Sequence, residues 1–147
     1  MVDMSFELIP IYDTKAILKN WKFFREGMKC VEEYSASLDT VDTLYNRLMS
    51  QEVLMWAAYK DGDYDGFIVT KPILDALGQW HTLIYALYGN GGQMDEGWWE
   101  QGLQRIEAEA RKHGQKTVQG YTVRKGMLKM IEPFGYKVER YLFSKEV

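Results

Sequence analysis

The sequence predicts an α+β domain, a mixed and mostly antiparallel sheet flanked by helices, and three observations carry that expectation. "VLMWAAYKDGDYDGFIVTKPI" sets two apolar, β-prone runs on either side of an Asp-Gly pair, the strongest short-range mark of a hairpin. "WHTLIYALY", residues 80 to 88, has no polar face beyond His81 and Thr82, and so belongs inside a sheet covered on both sides. Elsewhere apolar residues recur at three- and four-residue steps, the period of helices with one buried face.

Residues 6 to 12, "FELIPIY", alternate as a first strand, and Pro10 places it at an edge or near a strand end because proline has no N–H to give a ladder. Asp13 caps a helix from Thr14 whose apolar stripe comprises Ile17, Trp21, Phe24, Met28, Val31 and Tyr34. Cys30 is placed inward beside Val31 as a small apolar filler. A second helix, capped by Asp39 or Thr40, buries Val41, Leu44, Tyr45 and Leu48 and ends near Ser50. The hairpin strands fall at 53 to 59 and 65 to 70, and the run 80 to 88 is the central strand.

After a glycine cluster, Trp99, Leu103, Ile106 and Ala110 mark a helix that Gly114 terminates in a left-handed cap. Glu100, Gln104, Glu107 and Arg111 take its wet side. "KTVQGYTV" reads as a strand, "RKGMLKMIEPFG" as a short helix ended by Pro133 and Gly135, and "YKVERYLFSKEV" as a closing strand. The order is β-α-α-β-β-β-α-β-α-β, and since no linker or repeat interrupts it, residues 1–147 are read as a single domain.

Composition narrows the function classes. With 46% hydrophobic and 27% charged residues the chain has the makeup of a folded protein, not a disordered one. Its net charge of -3 offers no basic surface for phosphate contacts, so nucleic acid is not expected as a partner. Cys30 is the sole cysteine, so no intrachain disulfide forms, and His81 and His113 show no ligand spacing, so no metal is expected either. The start, "MVDMSFELIPIYD", has no secretory-signal pattern, and no window reaches the ~18 apolar residues of a membrane span.

With a long helix leaving a central strand through a glycine-rich turn, with "IEAEARKHGQKTVQGYTV" as helix, glycine and strand, and with "MLKMIEPFGYKVERYLF" as a helix, Gly-aromatic and strand unit, the chain resembles the GNAT (GCN5-related N-acetyltransferase) superfamily over nearly its full length. The glycine turn, Trp98-Trp99 and "GYTVRKGMLKMIEPFGY" also resemble small GNAT-like proteins encoded by tailed bacteriophages.

The resemblance implies a loop of form Gln/Arg-x-x-Gly-x-Gly/Ala, whose backbone N–H groups and following helix N-terminus cradle the pyrophosphate of coenzyme A. The nearest register here, Gln93-Met94-Asp95-Glu96-Gly97-Trp98, departs from it: Glu96 and Trp98 stand where the smallest residues should. Asp95 and Glu96 also bring negative charge to the docking point, and are read as an N-cap and a first-turn anion worth about 0.5–1 kcal/mol each to the helix. If a coenzyme binds, the residues that would cradle it are Leu87, Gly89, Asn90, Gly91, Gly92 and Gly97. The resemblance further implies a proton donor for the leaving thiolate, the tyrosine of a "YeklGF" segment; Ile131 stands at that place, and Tyr121 and Tyr85 are the substitutes. No catalytic residue is assigned.

Five Trp and ten Tyr exceed what one small core needs, and adjacent Trp98 and Trp99 point different ways on a regular helix. Trp98, with the 89 to 92 turn, is therefore the candidate protein interface, unless residues 72 to 79 cover it.

Two readings result. In the main one this is a GNAT-like protein of phage type with a degenerate acetyl-CoA site and no cofactor. It acts by binding protein or itself, as a virion component or an accessory factor in the cytoplasm of a bacterial or phage-infected host cell. The alternative is an acetyl-CoA-dependent N-acetyltransferase with a deviant phosphate loop. The sequence leaves open whether the chain is an enzyme.

Overall fold

The computed structural model describes residues 5–34, 40–89, 97–122, 125–141 and 143–147. One sheet of five strands, β1 (Phe6–Ile11), β2 (Leu54–Lys60), β3 (Asp63–Leu74), β4 (Trp80–Gly89) and β5 (Val118–Gly120), runs in sequence order from edge to edge. β1 to β4 are antiparallel neighbours, and β5 joins β4 in parallel through a helical crossover. Helices α1 (Thr14–Lys19), α2 (Trp21–Tyr34) and α3 (Val41–Met49) lie between β1 and β2; α4 (Leu103–Lys112) bridges β4 and β5; α5 (Lys125–Ile131) follows β5.

Strand alternation builds two cores, one on each face of the sheet. Met55, Phe67, Val69 and Ala86 face Ile17, Phe24, Met28, Leu44 and Leu48 of α1 to α3. Trp56, Ala58 and Ile68 point the other way, toward Trp98 and Ile106. The hairpin between β2 and β3 turns on Asp61 and Gly62, both at positive φ (51° and 85°), as the Asp-Gly signal requires. Thr40 accepts from the N–H of Thr43 at the start of α3, and Ser50 closes its end. Gly114, φ 71°, adopts the left-handed conformation after α4. Mixed sheet, flanking helices and edge position of the Pro10 strand are all as the sequence predicts.

Three local expectations change. The first long helix is two, because the backbone leaves helical geometry at Asn20, whose side-chain Nδ2 (2.9 Å) and backbone N–H (3.2 Å) both donate to the Ala16 carbonyl and cap α1. Cys30 is exposed, not inward: it lies two residues past Met28, off the buried stripe of α2. As expected, α5 stops at Ile131 ahead of Pro133, which sits in a 3-10 turn over Glu132–Phe134 that Gly135, φ 92°, closes. The closing strand is absent among the described residues, since 136–141 and 143–147 join no ladder. Tyr136 instead donates its hydroxyl to Glu107 Oε2 at 2.8 Å, taking Glu107 off the wet side of α4, and burial together with that carboxylate pushes the phenol's pKa up. No helix among the described residues is long and apolar enough to cross a membrane.

Candidate functional site

The site is built where β4 and β5 part. β5 pairs with β4 only through Thr82↔Val118, Leu83↔Gln119 and Ile84↔Gly120, whereas β4 continues to Gly89. Among the described residues no strand takes up the β5-side edge of Tyr85 to Gly89. The expected strand "KTVQGYTV" would have covered part of that edge; its apolar alternation gives no sign that pairing stops at Gly120.

A bulge marks the same point. Val69 pairs with Ala86 and Thr70 with Ile84, which leaves Tyr85 as the extra residue in β4. Consecutive Tyr85 and Ala86 thereby face the α1 to α3 core, while Ile84 and Leu87 face the other. At the bulge the ladder is locally disrupted and the strand bends. The two tyrosines that the sequence offers as proton donors, Tyr85 and Tyr121, are the first residues past the last rung on their respective strands. The Arg47 guanidinium sits 5.9 Å from the ring centroid of Tyr85 and is ion-paired with Glu52 at 2.9 Å. Tyr121 is 72% exposed.

Backbone economy explains the end of β4. Gly66 of β3 pairs with Gly89 and has φ 140°; a β-carbon there would strike the Tyr88 carbonyl and come within 2.9 Å of the Trp98 ring. The paired glycines let Trp98 pack directly onto the strands. Its indole is 2% exposed, donates to Asp65 Oδ2 at 2.6 Å and packs against Phe6 with ring centroids 5.4 Å apart. Trp99 is buried as well, at 6%.

Trp98 is thus core, not an exposed interface residue, and β-strand residues cover it rather than the 72 to 79 loop. The physical reason is the π-helical turn over Trp98–Gly102, which puts fewer degrees between successive side chains than an α-helix does, so that both indoles turn inward. Of the proposed cradle, Leu87 has its side chain packed in the core and offers only its backbone, Gly89 ends β4, and Gly97 begins the helix. Asn90, Gly91 and Gly92, like Asp95 and Glu96, lie outside the described residues. No group of three or more His, Cys, Asp or Glu is placed to hold a metal among the described residues.

No protein-family profile matches the chain, and no curated protein does either. Solved structures do. A ribosomal-protein-alanine N-acetyltransferase from Brucella melitensis biovar Abortus 2308 superposes with a TM-score of 0.73 at 10% identity, over 97% of this chain and 99% of that one. A predicted acetyltransferase from Clostridium acetobutylicum, solved with acetyl-CoA, gives 0.69 at 14% identity over 97% and 96%. A GCN5-related N-acetyltransferase from Ralstonia eutropha JMP134 gives 0.71 at 16% identity over 97% and 99%. The fold is that of GNAT acetyltransferases.

Proposed function

We propose that this chain is an acetyl-CoA-dependent N-acetyltransferase that holds its cosubstrate along the free edge of β4. The observation that carries the proposal is the parting of the strands after Ile84 and Gly120: among the described residues no strand follows β4 on that side from Tyr85 to Gly89. An extended chain that bears amides, as the pantetheine arm of coenzyme A does, can run along such a strand edge as an added strand would. Gly89 and Gly97, the described residues on either side of the glycine-containing segment, would flank the phosphates. The bulk of Trp98 is no obstacle to an anion at the helix start, because its indole is taken up by the core. A similar structure solved with acetyl-CoA supports this reading over the one without a cofactor.

Acetyl-CoA supplies the activated acetyl group, and the acceptor is an amine. Tyr121, exposed at the mouth of the divergence, is the proton donor to the departing thiolate, the role for which Ile131 is unfit. Tyr85, under Arg47, lines the site. Titrating acetyl-CoA during thermal unfolding tests the proposal: at a hundredfold excess over Kd the stabilisation is about 2.7 kcal/mol, several degrees in a domain of this size. Tyr121→Phe lowers kcat roughly 100-fold, leaves KM for acetyl-CoA unchanged and preserves the thermal shift. Absence of any shift at millimolar coenzyme defeats the proposal.

A GNAT-like protein of phage type that works by binding protein is the second reading, favoured by the near-complete exposure of Tyr141 (91%) and Phe143 (94%). It requires the same titration to be flat and a complex that is lost on Tyr141→Ser/Phe143→Ser.

A further inference from the structure

At the other end of β4 a buried histidine links two elements. His81 Nε2 lies 2.7 Å from Asp75 Oδ2 and its Nδ1 lies 2.8 Å from Thr117 Oγ1. The histidine ring is buried and the threonine exposed. Asp75 is fixed in turn, since its Oδ1 accepts the N–H groups of Leu77 at 2.8 Å and Gln79 at 2.9 Å. The side-chain amide of Gln119 donates to Thr117 Oγ1 at 2.9 Å. The carboxylate, which can only accept, assigns the tautomer. The carboxylate takes the Nε2–H, which leaves Nδ1 as the acceptor for the threonine hydroxyl. A carboxylate, a histidine it orients and an exposed hydroxyl aimed at the free ring nitrogen make up the arrangement that activates an oxygen nucleophile.

We propose that Asp75, His81 and Thr117 form a second, hydrolytic site that takes small acyl esters. Thr117 Oγ1 attacks the ester carbonyl carbon, its proton passes to His81 Nδ1, and the Nε2–H stays hydrogen-bonded to Asp75. The ester C–O bond then breaks and the leaving oxygen takes the proton from Nδ1. Water, deprotonated by the same nitrogen, cleaves the acyl-threonine, releasing the carboxylic acid and restoring the hydroxyl. The Gln119 amide donates to Thr117 Oγ1 in the resting site, and as the tetrahedral intermediate forms on that oxygen it shifts to the adjacent oxyanion. Leu77 and Trp80, both exposed, belong to the turn and strand end that carry Asp75 and His81, and offer the acyl chain an apolar surface. His81 and Gly89 are separated by roughly 26 Å of extended strand, so this site is independent of the proposed coenzyme edge.

Incubating the full chain with p-nitrophenyl acetate tests the site. The expected result is release of nitrophenolate together with an acetyl group mapped to Thr117 by peptide mass spectrometry. Thr117→Val abolishes both and Thr117→Ser retains them, with the acetyl-CoA shift unchanged in either and the thermal midpoint unchanged in Thr117→Ser. Gln119→Ala slows release roughly 100-fold. Because replacing buried His81 can unfold the chain, the deciding comparison is between the two variants at exposed Thr117. Release by Thr117→Val at the wild-type rate, an acetyl group found only on lysines, or no release at all overturns the proposal.

Discussion

Two buried polar side chains of opposite standing show what a single atom contributes. Trp56 Nε1 donates to Thr70 Oγ1 at 2.9 Å within the sheet, and both residues are buried. Thr70→Val keeps the shape but strands the indole N–H, so it destabilises by about 1–3 kcal/mol even though it adds an apolar methyl group. Tyr64 is the converse. Its hydroxyl is buried with no hydrogen-bond partner among the described residues, and burial, with the neighbouring Tyr88, Tyr59 and Asp65, pushes its pKa up. Tyr64→Phe deletes an unsatisfied group and is therefore neutral or stabilising. Urea unfolding of the two variants checks the contrast; equal losses would mean that the Tyr64 hydroxyl has a partner in solution.

Among the elements, the turn from Asp75 to Gln79 has the clearest pH signature. The hydrogen bond from His81, and then the N–H groups of Gln79 and Leu77, hold the Asp75 carboxyl below its usual pKa. A carboxyl depressed in the folded state stabilises above the ordinary carboxylate range, and that contribution is lost as the pH falls through the folded value. Asp75→Asn is accordingly less stable than wild type near neutrality, and the two unfolding curves converge on acidification; a constant gap across the range would remove Asp75 as the cause. Little of this was legible beforehand, because the partners His81 and Thr117 are joined only by tertiary structure. Elements with local instructions were legible: Thr40 and Ser50 bound α3, and Asp61-Gly62 turns the hairpin. The break at Asn20 was hidden by an apolar stripe that runs across it in step, from Ile17 to Trp21. The bulge at Tyr85 was hidden because Ile84, Tyr85 and Ala86 are all apolar, so an inserted residue leaves no mark on the hydrophobic pattern. The closing segment shows the reverse case: strand-like residues from 136 onward of which the described ones join no ladder. The proposed coenzyme edge inherits these limits, since it depends on where β5 stops and not on which residues β4 contains.

At the scale of the molecule, the two cores and the candidate site meet at Gly66. This residue lets Trp98 press onto β3, pairs with Gly89 at the end of β4 and so sets the position from which the chain leaves for the glycine turn. A methyl group at Gly66 meets the Tyr88 carbonyl, the Trp98 ring at 2.9 Å and Gly89 Cα at 3.0 Å, at a φ of 140° that L-residues rarely adopt. Strain and overpacking together make Gly66→Ala cost about 3 kcal/mol, a fall of about 10 °C in Tm. Because the displaced atoms belong to Tyr88, Gly89 and Trp98, the proposed coenzyme site predicts that the same change also weakens any stabilisation by acetyl-CoA. Gly78→Ala is the matched control: φ is again positive, at 78°, but nothing lies within 4 Å of the added carbon. It costs about 1 kcal/mol through backbone strain and leaves the coenzyme response intact. If both variants lose stability but keep an equal thermal shift with acetyl-CoA, the end of β4 does not position the coenzyme, and the edge from Tyr85 to Gly89 is not its seat.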